Sequence, residues 1–244
     1  MQNTLLLSNY REPAKTQTAY VFIKRSFDII CSLFLIVLLM PVLLAVAVIS
    51  AIDTKSCPIF IQTRMGRNNR PFRMIKFRTM NTQAPSNLAT HRFENALNYI
   101  SPVGGALRKL SLDELPQLFN ILLGDMSFVG PRPVVLTETD LLRMRDKNGA
   151  LSVRPGLTGW AQVNGRDLVS VADKAVLDGY YVDNMSLSMD WTILKKTVGY
   201  VLRARDISEG AALGAVTGEY RLPARTPVPL RSAPVQDVRR SKTA

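Results

Sequence analysis

Between Ile29 and Ile52 the chain carries no charged residue, and the run reads IICSLFLIVLLMPVLLAVAVISAI. That exceeds the roughly 20 apolar residues a membrane helix needs. It starts too deep in the chain, and runs too long, for a cleaved signal peptide. Pro41 stands near its centre, where a proline removes a backbone hydrogen bond and crowds the preceding turn, so the helix must kink or break there. Lys24 and Arg25 precede the run, and Lys55, Arg64, Arg67, Arg70 and Arg73 follow it. Basic residues mark the cytoplasmic flank of a membrane segment, and here both flanks are basic. A helix-break-helix hairpin that enters and leaves by one leaflet satisfies both, each half being about a dozen residues, or roughly 18 Å. A kinked transmembrane helix is the alternative, with the downstream basic residues then serving a substrate.

The remaining pattern is that of a small mixed domain. Residues 1–19 read as a polar, weakly ordered tail. Ile59–Ile61 and Phe72–Phe77 read as short strands around a turn at Gly66–Asn69. Residues 81–90 read as loop, and residues 98–105 lead into RKLSLDELPQLFN. Leu115–Leu123 reads as a short apolar helix, MSFVGPRPV as a rigid turn, and Thr137–Lys147 as a charged helix. Val153–Arg166 is a loop punctuated by Gly and Pro, and Val171–Asn184 is helical. Asp190–Arg205 is amphipathic, with Trp191, Leu194, Val198, Val201 and Leu202 on one face. Such a helix rests on a membrane surface or packs on the core. Past about Ser208 the Ala/Gly-rich and then Pro/Arg-rich chain reads as disordered. The expected divisions are therefore a tail at 1–19, an anchor at 20–55, a catalytic portion at 56–207 and a second tail at 208–244.

Charge narrows the partners. Lys plus Arg number 31 against 19 acidic residues, a formal net charge of +12, which favours nucleic acid, an anionic membrane face or phosphorylated substrates. A hydrophobic content of 47% is too high for a disordered basic protein. Cys31 and Cys57 make no disulfide framework and, without a Cys/His cluster, no zinc site. The single histidine, His91, is the only residue on which a Ser–His or Cys–His mechanism could rest.

Asp113 and Glu114 are the notable pair. One reading is a helix start: Ser111 and Glu114 have capping-box spacing, but Pro116 fits better if Asp113 is the cap, because it then falls where the N–H has no partner. The other reading is chemical. A carboxylate at a helix N-terminus, near Arg108 and Lys109, keeps its charge. It can then attack phosphorus or hold Mg²⁺ beside phosphates. Adjacent carboxylates do not suit glycoside hydrolysis, where the pair flanks the scissile bond. An apolar anchor, a basic catalytic half, a carboxylate pair and Arg-bearing turns together suit two phosphorylated substrates at a membrane face, one soluble and one lipid-linked.

From about Lys24 to Lys196 the chain resembles the bacterial sugar transferases, the monotopic phosphoglycosyl transferases. The segments that carry the likeness are KRSFDIICSLFLIVLLMP, FRMIKFRTM, LRKLSLDELPQLFNILLGDMSFVGPRPV, RPGLTGWAQVNGR and LDGYYVDNMSLSMDW. The resemblance implies a mostly helical α/β monotopic membrane protein. Its re-entrant helix would break at Pro41 and its surface helices would lie on the cytoplasmic leaflet of the bacterial inner membrane. It implies Asp113 as the nucleophile that attacks the β-phosphate of a UDP-sugar, releases UMP and passes the phosphosugar to polyprenyl phosphate. This is the first membrane step of exopolysaccharide, capsule or glycan synthesis. Glu114 would be an acid/base or positioning partner, and Mg²⁺ would meet Asp113. Lys76, Arg108, Arg132 and Arg166 would recognise phosphate or nucleotide, with Gln162 beside Arg166 on the Gly-rich loop. Arg132 is the best placed, because the flanking prolines of GPRP fix its backbone and a bidentate guanidinium suits phosphate.

The larger family members carry a multi-span region ahead of the anchor, whereas only a short polar tail precedes Lys24, which reads as the minimal form. Two other readings are an inactive membrane-anchored scaffold of a glycan assembly complex and a basic nucleic-acid binder. The intact Asp113–Glu114 and GPRP segments oppose the first. Basic residues scattered among Gly/Pro turns, without a recognisable motif, oppose the second, so nucleic acid is not an expected partner. The sugar is not legible, and a homodimer or contact with downstream glycosyltransferases stays open.

Overall fold

The computed structural model describes residues 15–84, 96–165 and 169–203. The apolar run forms two helices, α1 (Lys15–Leu38) and α2 (Met40–Thr54), bent by 66° at the break between them. Pro41 is the second residue of α2, where a helix needs no N–H, so it opens a new helix instead of deforming an old one. The helices have 24 and 15 residues, longer than the expected halves, and α1 starts at Lys15 rather than at about residue 20. No single described helix is long and apolar enough to cross a membrane; the bent pair together meets that test. The tail residues 1–14 and 204–244 lie outside the described residues, as does His91.

The helix pair is amphipathic in an inverted sense. The stripe turned toward the protein includes Asp28, Ser32, Ile36, Leu43, Val46 and Ser50, all buried. The opposite face exposes Phe22, Ile30, Phe34, Val37, Leu44, Val48 and Ile52. The inward stripe mixes core apolar residues with the polar Asp28, Ser32 and Ser50, while the outward face is large and apolar where a surface helix on a water-facing core would be polar.

β1 (Ile59–Met65) and β2 (Pro71–Phe77) form the expected antiparallel hairpin, with Ile61 opposite Ile75. Its turn uses Asn68 and Asn69 in the left-handed region, which asparagine tolerates better than most residues. Next comes α3 (Pro102–Lys109), a helix that the pattern of Gly104 and Gly105 conceals. Ser101 caps it, accepting from Gly104 N at 2.8 Å, and also donates to Asp53 of α2 at 2.5 Å. After a 3-10 turn at Leu112–Glu114 follow α4 (Gln117–Leu123), β3 (Ser127–Val129) and α5 (Thr139–Lys147). The stretch expected as loop over 153–166 contains β4 (Gly156–Thr158) and one turn of helix, α6 (Trp160–Val163). Then come α7 (Val171–Asp183) and α8 (Leu187–Arg203). β3 and β4 pair in parallel, Ser127 with Gly156 and Val129 with Thr158.

One core cluster gathers Ile36 of α1 with Leu118 and Ile121 of α4, Met126, Val129, Tyr181 and Ile193. A second joins Leu43 and Val46 of α2 to Phe77 and Leu107. Both halves of the bent pair thus share their cores with the rest of the chain. Polar contacts reinforce the docking of α1. Arg25 donates to the carbonyls of Ile121 (2.7 Å) and Leu122 (2.8 Å) at the C-terminus of α4, where the free carbonyls attract a cation. Asp190 of α8 accepts from Lys24 (2.6 Å), Tyr20 (2.8 Å) and Tyr181 (2.8 Å). On α8 the core takes Ile193, while Leu187, Trp191 and Val198 stay exposed. The core-packing reading therefore holds through Ile193, while Trp191 and Val198 of the face singled out in the sequence stay exposed.

Candidate active site

The site starts where α3 ends. The carbonyl of Arg108 accepts Ser111 N at 2.9 Å, and Ser111 sits in the left-handed region at φ 55°, a conformation that costs a non-glycine residue about 1–2 kcal/mol. This reversal throws Leu112–Glu114 into the 3-10 turn. Asp113 is buried within it, at 4% exposure. Neither cap position, Ser111 nor Pro116, makes a side-chain capping bond. Asp113 is thus inside the turn rather than at the cap of α4, although both carboxylates do stand in the first turn of the helical segment that leads into it.

Glu114 is spoken for by two cations from distant segments. Its Oε1 accepts Lys76 Nζ of β2 at 2.9 Å and Arg132 Nη2 at 2.6 Å, and its Oε2 lies 3.4 Å from Arg132 Nη1. Burial opposes its ionisation, but the charges of Arg132 and Lys76 and their hydrogen bonds outweigh burial and hold the carboxyl well below the usual carboxylate range. These two cations favour the anionic form of Glu114. Its charge leaves one net positive charge in the cluster beside Asp113, and a third of the Arg132 side chain remains exposed.

Three devices place Arg132. Glycines 130, 156 and 159 bring the GPRP segment into backbone contact with the 154–159 segment: a Cβ on Gly156 would stand 2.1 Å from Gly130 N, and one on Gly159 would stand 2.1 Å from Gly130 O. Asp28 of α1 accepts Ser127 Oγ at 3.1 Å and Phe128 N at 3.0 Å, fixing the strand that leads into the segment. Arg145 of α5 donates from Nη1 to the main-chain carbonyl of Arg132 at 2.8 Å. Arg145 is itself buried and paired with Asp178 of α7, Nε to Oδ2 at 2.8 Å and Nη2 to Oδ2 at 2.6 Å. Lys76 is placed by Asn120 of α4, which accepts Ile75 N at 3.0 Å and donates to Arg73 O at 2.8 Å, binding α4 to β2.

Of the residues singled out in the sequence, Lys76, Asp113, Glu114 and Arg132 share this site. Arg108 is half-buried at the end of α3, abutting the turn. Gln162 lies in α6, where its Nε2 donates to Leu157 O at 3.1 Å within its own loop. Arg166 is outside the described residues. Asp28, Asn120, Arg145 and Asp178 were not singled out. Asp28 carried a signal, as the last charge before the apolar run. Nothing in the sequence separates Arg145 from its neighbours Arg143 and Lys147.

No group of three or more His, Cys, Asp or Glu side chains that could hold a metal occurs among the described residues. Mg²⁺ does not need one, since it usually takes one or two carboxylates and completes its shell with water and substrate oxygens. Glu114 already pairs with Lys76 and Arg132, and Asp113 is the other carboxylate of the turn.

Residues 19–204 match the family described as bacterial sugar transferase. Among curated proteins, an uncharacterized sugar transferase, EpsL, of Bacillus subtilis is 38% identical over 78% of this chain and 90% of its own length. A UDP-N-acetylgalactosamine-undecaprenyl-phosphate N-acetylgalactosaminephosphotransferase of Aeromonas hydrophila is 38% identical over 75% of this chain and 44% of its own length. An undecaprenyl-phosphate galactose phosphotransferase of Salmonella typhimurium is 38% identical over 75% of this chain and 41% of its own length. The chain thus spans most of the first relative and under half of the other two. Those two are named for different sugars at equal identity, so overall similarity does not decide the sugar.

Proposed function

Because the chain belongs to the bacterial sugar transferase family, we propose that it transfers a phosphosugar from a UDP-sugar to polyprenyl phosphate at the cytoplasmic face of the bacterial plasma membrane, as the first membrane step of exopolysaccharide, capsule or glycan synthesis. The observation that carries this reading is the ion cluster beside Asp113: one carboxylate fully committed to Lys76 and Arg132, and its neighbour in the same turn.

In this mechanism a carboxylate oxygen of Asp113 attacks the β-phosphorus of the UDP-sugar. The bond from that phosphorus to the bridging oxygen breaks, and the electron pair leaves with UMP. The phosphosugar stays on Asp113 as an acyl phosphate. An oxygen of polyprenyl phosphate then attacks the same phosphorus and restores the carboxylate. Glu114 acts as a positioning group, because its charge is fixed by two cations. Arg132 and Lys76 offset the charge of the phosphates, Arg132 through its exposed part. Arg108, Gln162 and Arg166 are further candidates for phosphate and nucleotide recognition. Mg²⁺, held by Asp113 and substrate oxygens, would supply neutralisation of phosphate charge. The outward apolar face of α1 and α2 supports a re-entrant anchor among phospholipids, and the shared cores support one folded unit over the anchor and the catalytic portion.

The test is UMP release by detergent-held or nanodisc-held protein, with Mg²⁺, polyprenyl phosphate and a panel of UDP-sugars. Release with one donor, abolished by Asp113→Asn while membrane insertion persists, is the expected result. Near-normal turnover in Asp113→Asn overturns the nucleophile, and no release with any donor returns the anchored-scaffold reading.

A further inference from the structure

The Arg145–Asp178 pair is almost wholly enclosed, at 2% and 1% exposure. Burying two charges is costly, and a buried pair by itself is weak evidence of a stabilising device. Its placement is the informative feature. Two guanidinium nitrogens donate hydrogen bonds, Nε to Asp178 Oδ2 and Nη1 to the main-chain oxygen of Arg132, while Nη2 lies 2.6 Å from Asp178 Oδ2 as an ion-pair contact without a hydrogen bond of its own. Asp178 comes from α7 and Arg145 from α5, so two helices converge on one peptide group. That group belongs to the residue whose side chain reaches Glu114. The residues on either side of Arg132 are prolines, so the segment has few soft dihedrals. A shift of its carbonyl is therefore passed on to the guanidinium.

We propose that Arg145, oriented by Asp178, is a positioning residue that sets the Arg132 guanidinium for the phosphates of the donor. The inference rests on the phosphosugar transfer proposed above and adds to it a residue outside the phosphate-contacting set. A lysine at position 145 keeps the charge but offers one nitrogen, which cannot satisfy Asp178 and the Arg132 carbonyl in the same geometry.

The experiment is a double-mutant cycle of Arg145→Lys and Arg132→Ala, read as kcat and KM for UMP release with the preferred UDP-sugar. Alongside it, hydrogen exchange of the 127–135 segment is followed in wild type and Arg145→Lys. Arg145→Lys is expected to lower kcat/KM roughly 10- to 100-fold, the order expected for a small misplacement of a reacting group, with a melting temperature close to wild type. In the Arg132→Ala background the same substitution should have little further effect. Exchange across 127–135 should rise in Arg145→Lys while α1 and α4 stay protected. Asp178→Asn, which keeps an acceptor oxygen, should fall between wild type and Arg145→Lys. Multiplicative losses in the cycle, or unchanged exchange at 127–135, overturn the proposal. If the wild type releases no UMP, the transfer reading fails on its own, and the exchange result still decides whether Arg145 holds the Arg132 segment.

Discussion

Glu114 is the residue on which charge and structure meet most directly. Its partners lie 38 and 18 positions away, so nothing local forecasts them. Glu114→Gln leaves Lys76 and Arg132 facing each other without an anion and should cost about 1–3 kcal/mol at neutral pH. The sign with pH follows from the depressed folded-state pKa. The stabilisation is complete above the ordinary carboxyl value of 4.5 and is lost as pH falls below it toward the folded-state value. Urea titrations of wild type and Glu114→Gln should therefore differ most near pH 7 and converge on acidification below about 4.5. A gap that stays constant or widens in acid would remove Lys76 and Arg132 as the cause. The same contacts explain why Glu114 drew an acid/base or positioning role only from the family resemblance: by its residues alone, an Asp-Glu pair before a proline looks like a cap until the two cations are in place.

At the scale of elements, the close approach around Gly130 and the bend at Leu39 can be separated experimentally. Gly156→Ala would place a Cβ 2.1 Å from Gly130 N and 2.4 Å from Thr158 O, both backbone atoms. The β3–β4 contact would have to part, at a cost above the usual 1–3 kcal/mol of overpacking. We expect a large fall in melting temperature, against little change or a gain of up to about 1 kcal/mol for Gly199→Ala in α8, where a Cβ meets nothing within 4 Å. The bend behaves differently. Because Pro41 stands where α2 needs no N–H, Pro41→Ala gains its backbone hydrogen bond only if the two helices straighten, and that bond is worth about 0.5–1.5 kcal/mol. Straightening would expose Leu43 and Val46, each worth about 1.5–3 kcal/mol when buried, and would break the 2.6 Å bond from Ser50 to Arg78 O. The packing wins, so the bend should survive the substitution. Spin labels at Thr18→Cys and Ile52→Cys, with Cys31 and Cys57 replaced, should stay about 43 Å apart instead of the roughly 51 Å of a straight helix. A distance near the longer value would make the proline, and not the packing, the cause of the bend. The proline was legible in the sequence as a break. The unequal lengths and the buried polar residues Asp28 and Ser50 were not, because their partners Ser127, Phe128 and Arg78 lie far along the chain. The paired glycines hid α3 for a similar reason: low helix propensity is overridden by the Ser101 cap and by burial of Leu107.

Across the whole molecule, two forces offer to hold the protein on a membrane, and they differ in their response to salt. The net charge of +12 attracts an anionic surface. That attraction weakens as the Debye length shrinks from about 8 Å at physiological ionic strength to about 3 Å at 1 M salt. The outward face of α1 and α2 acts through apolar area, which salt does not weaken. Phe22, Ile30, Phe34, Val37, Leu44, Val48 and Ile52 are all more than half exposed. Each adds about 1.5–3 kcal/mol if fully buried in lipid, so partial insertion of the face outweighs the charge once screening sets in. Trp191, with Lys195 5.4 Å from its ring centroid, is suited to the headgroup level, but one helix turn cannot match the area of the bent pair. Membranes washed with 1 M salt should therefore retain the protein, and a mild detergent should release it. Three substitutions on the outer face, Phe34→Ser, Val37→Ser and Leu44→Ser, avoid the buried stripe and should make retention salt-sensitive while leaving the folded domain intact by melting temperature. Release of the wild type by salt alone would mean that charge holds it to the surface and that the apolar face of the bent pair is covered by something other than lipid.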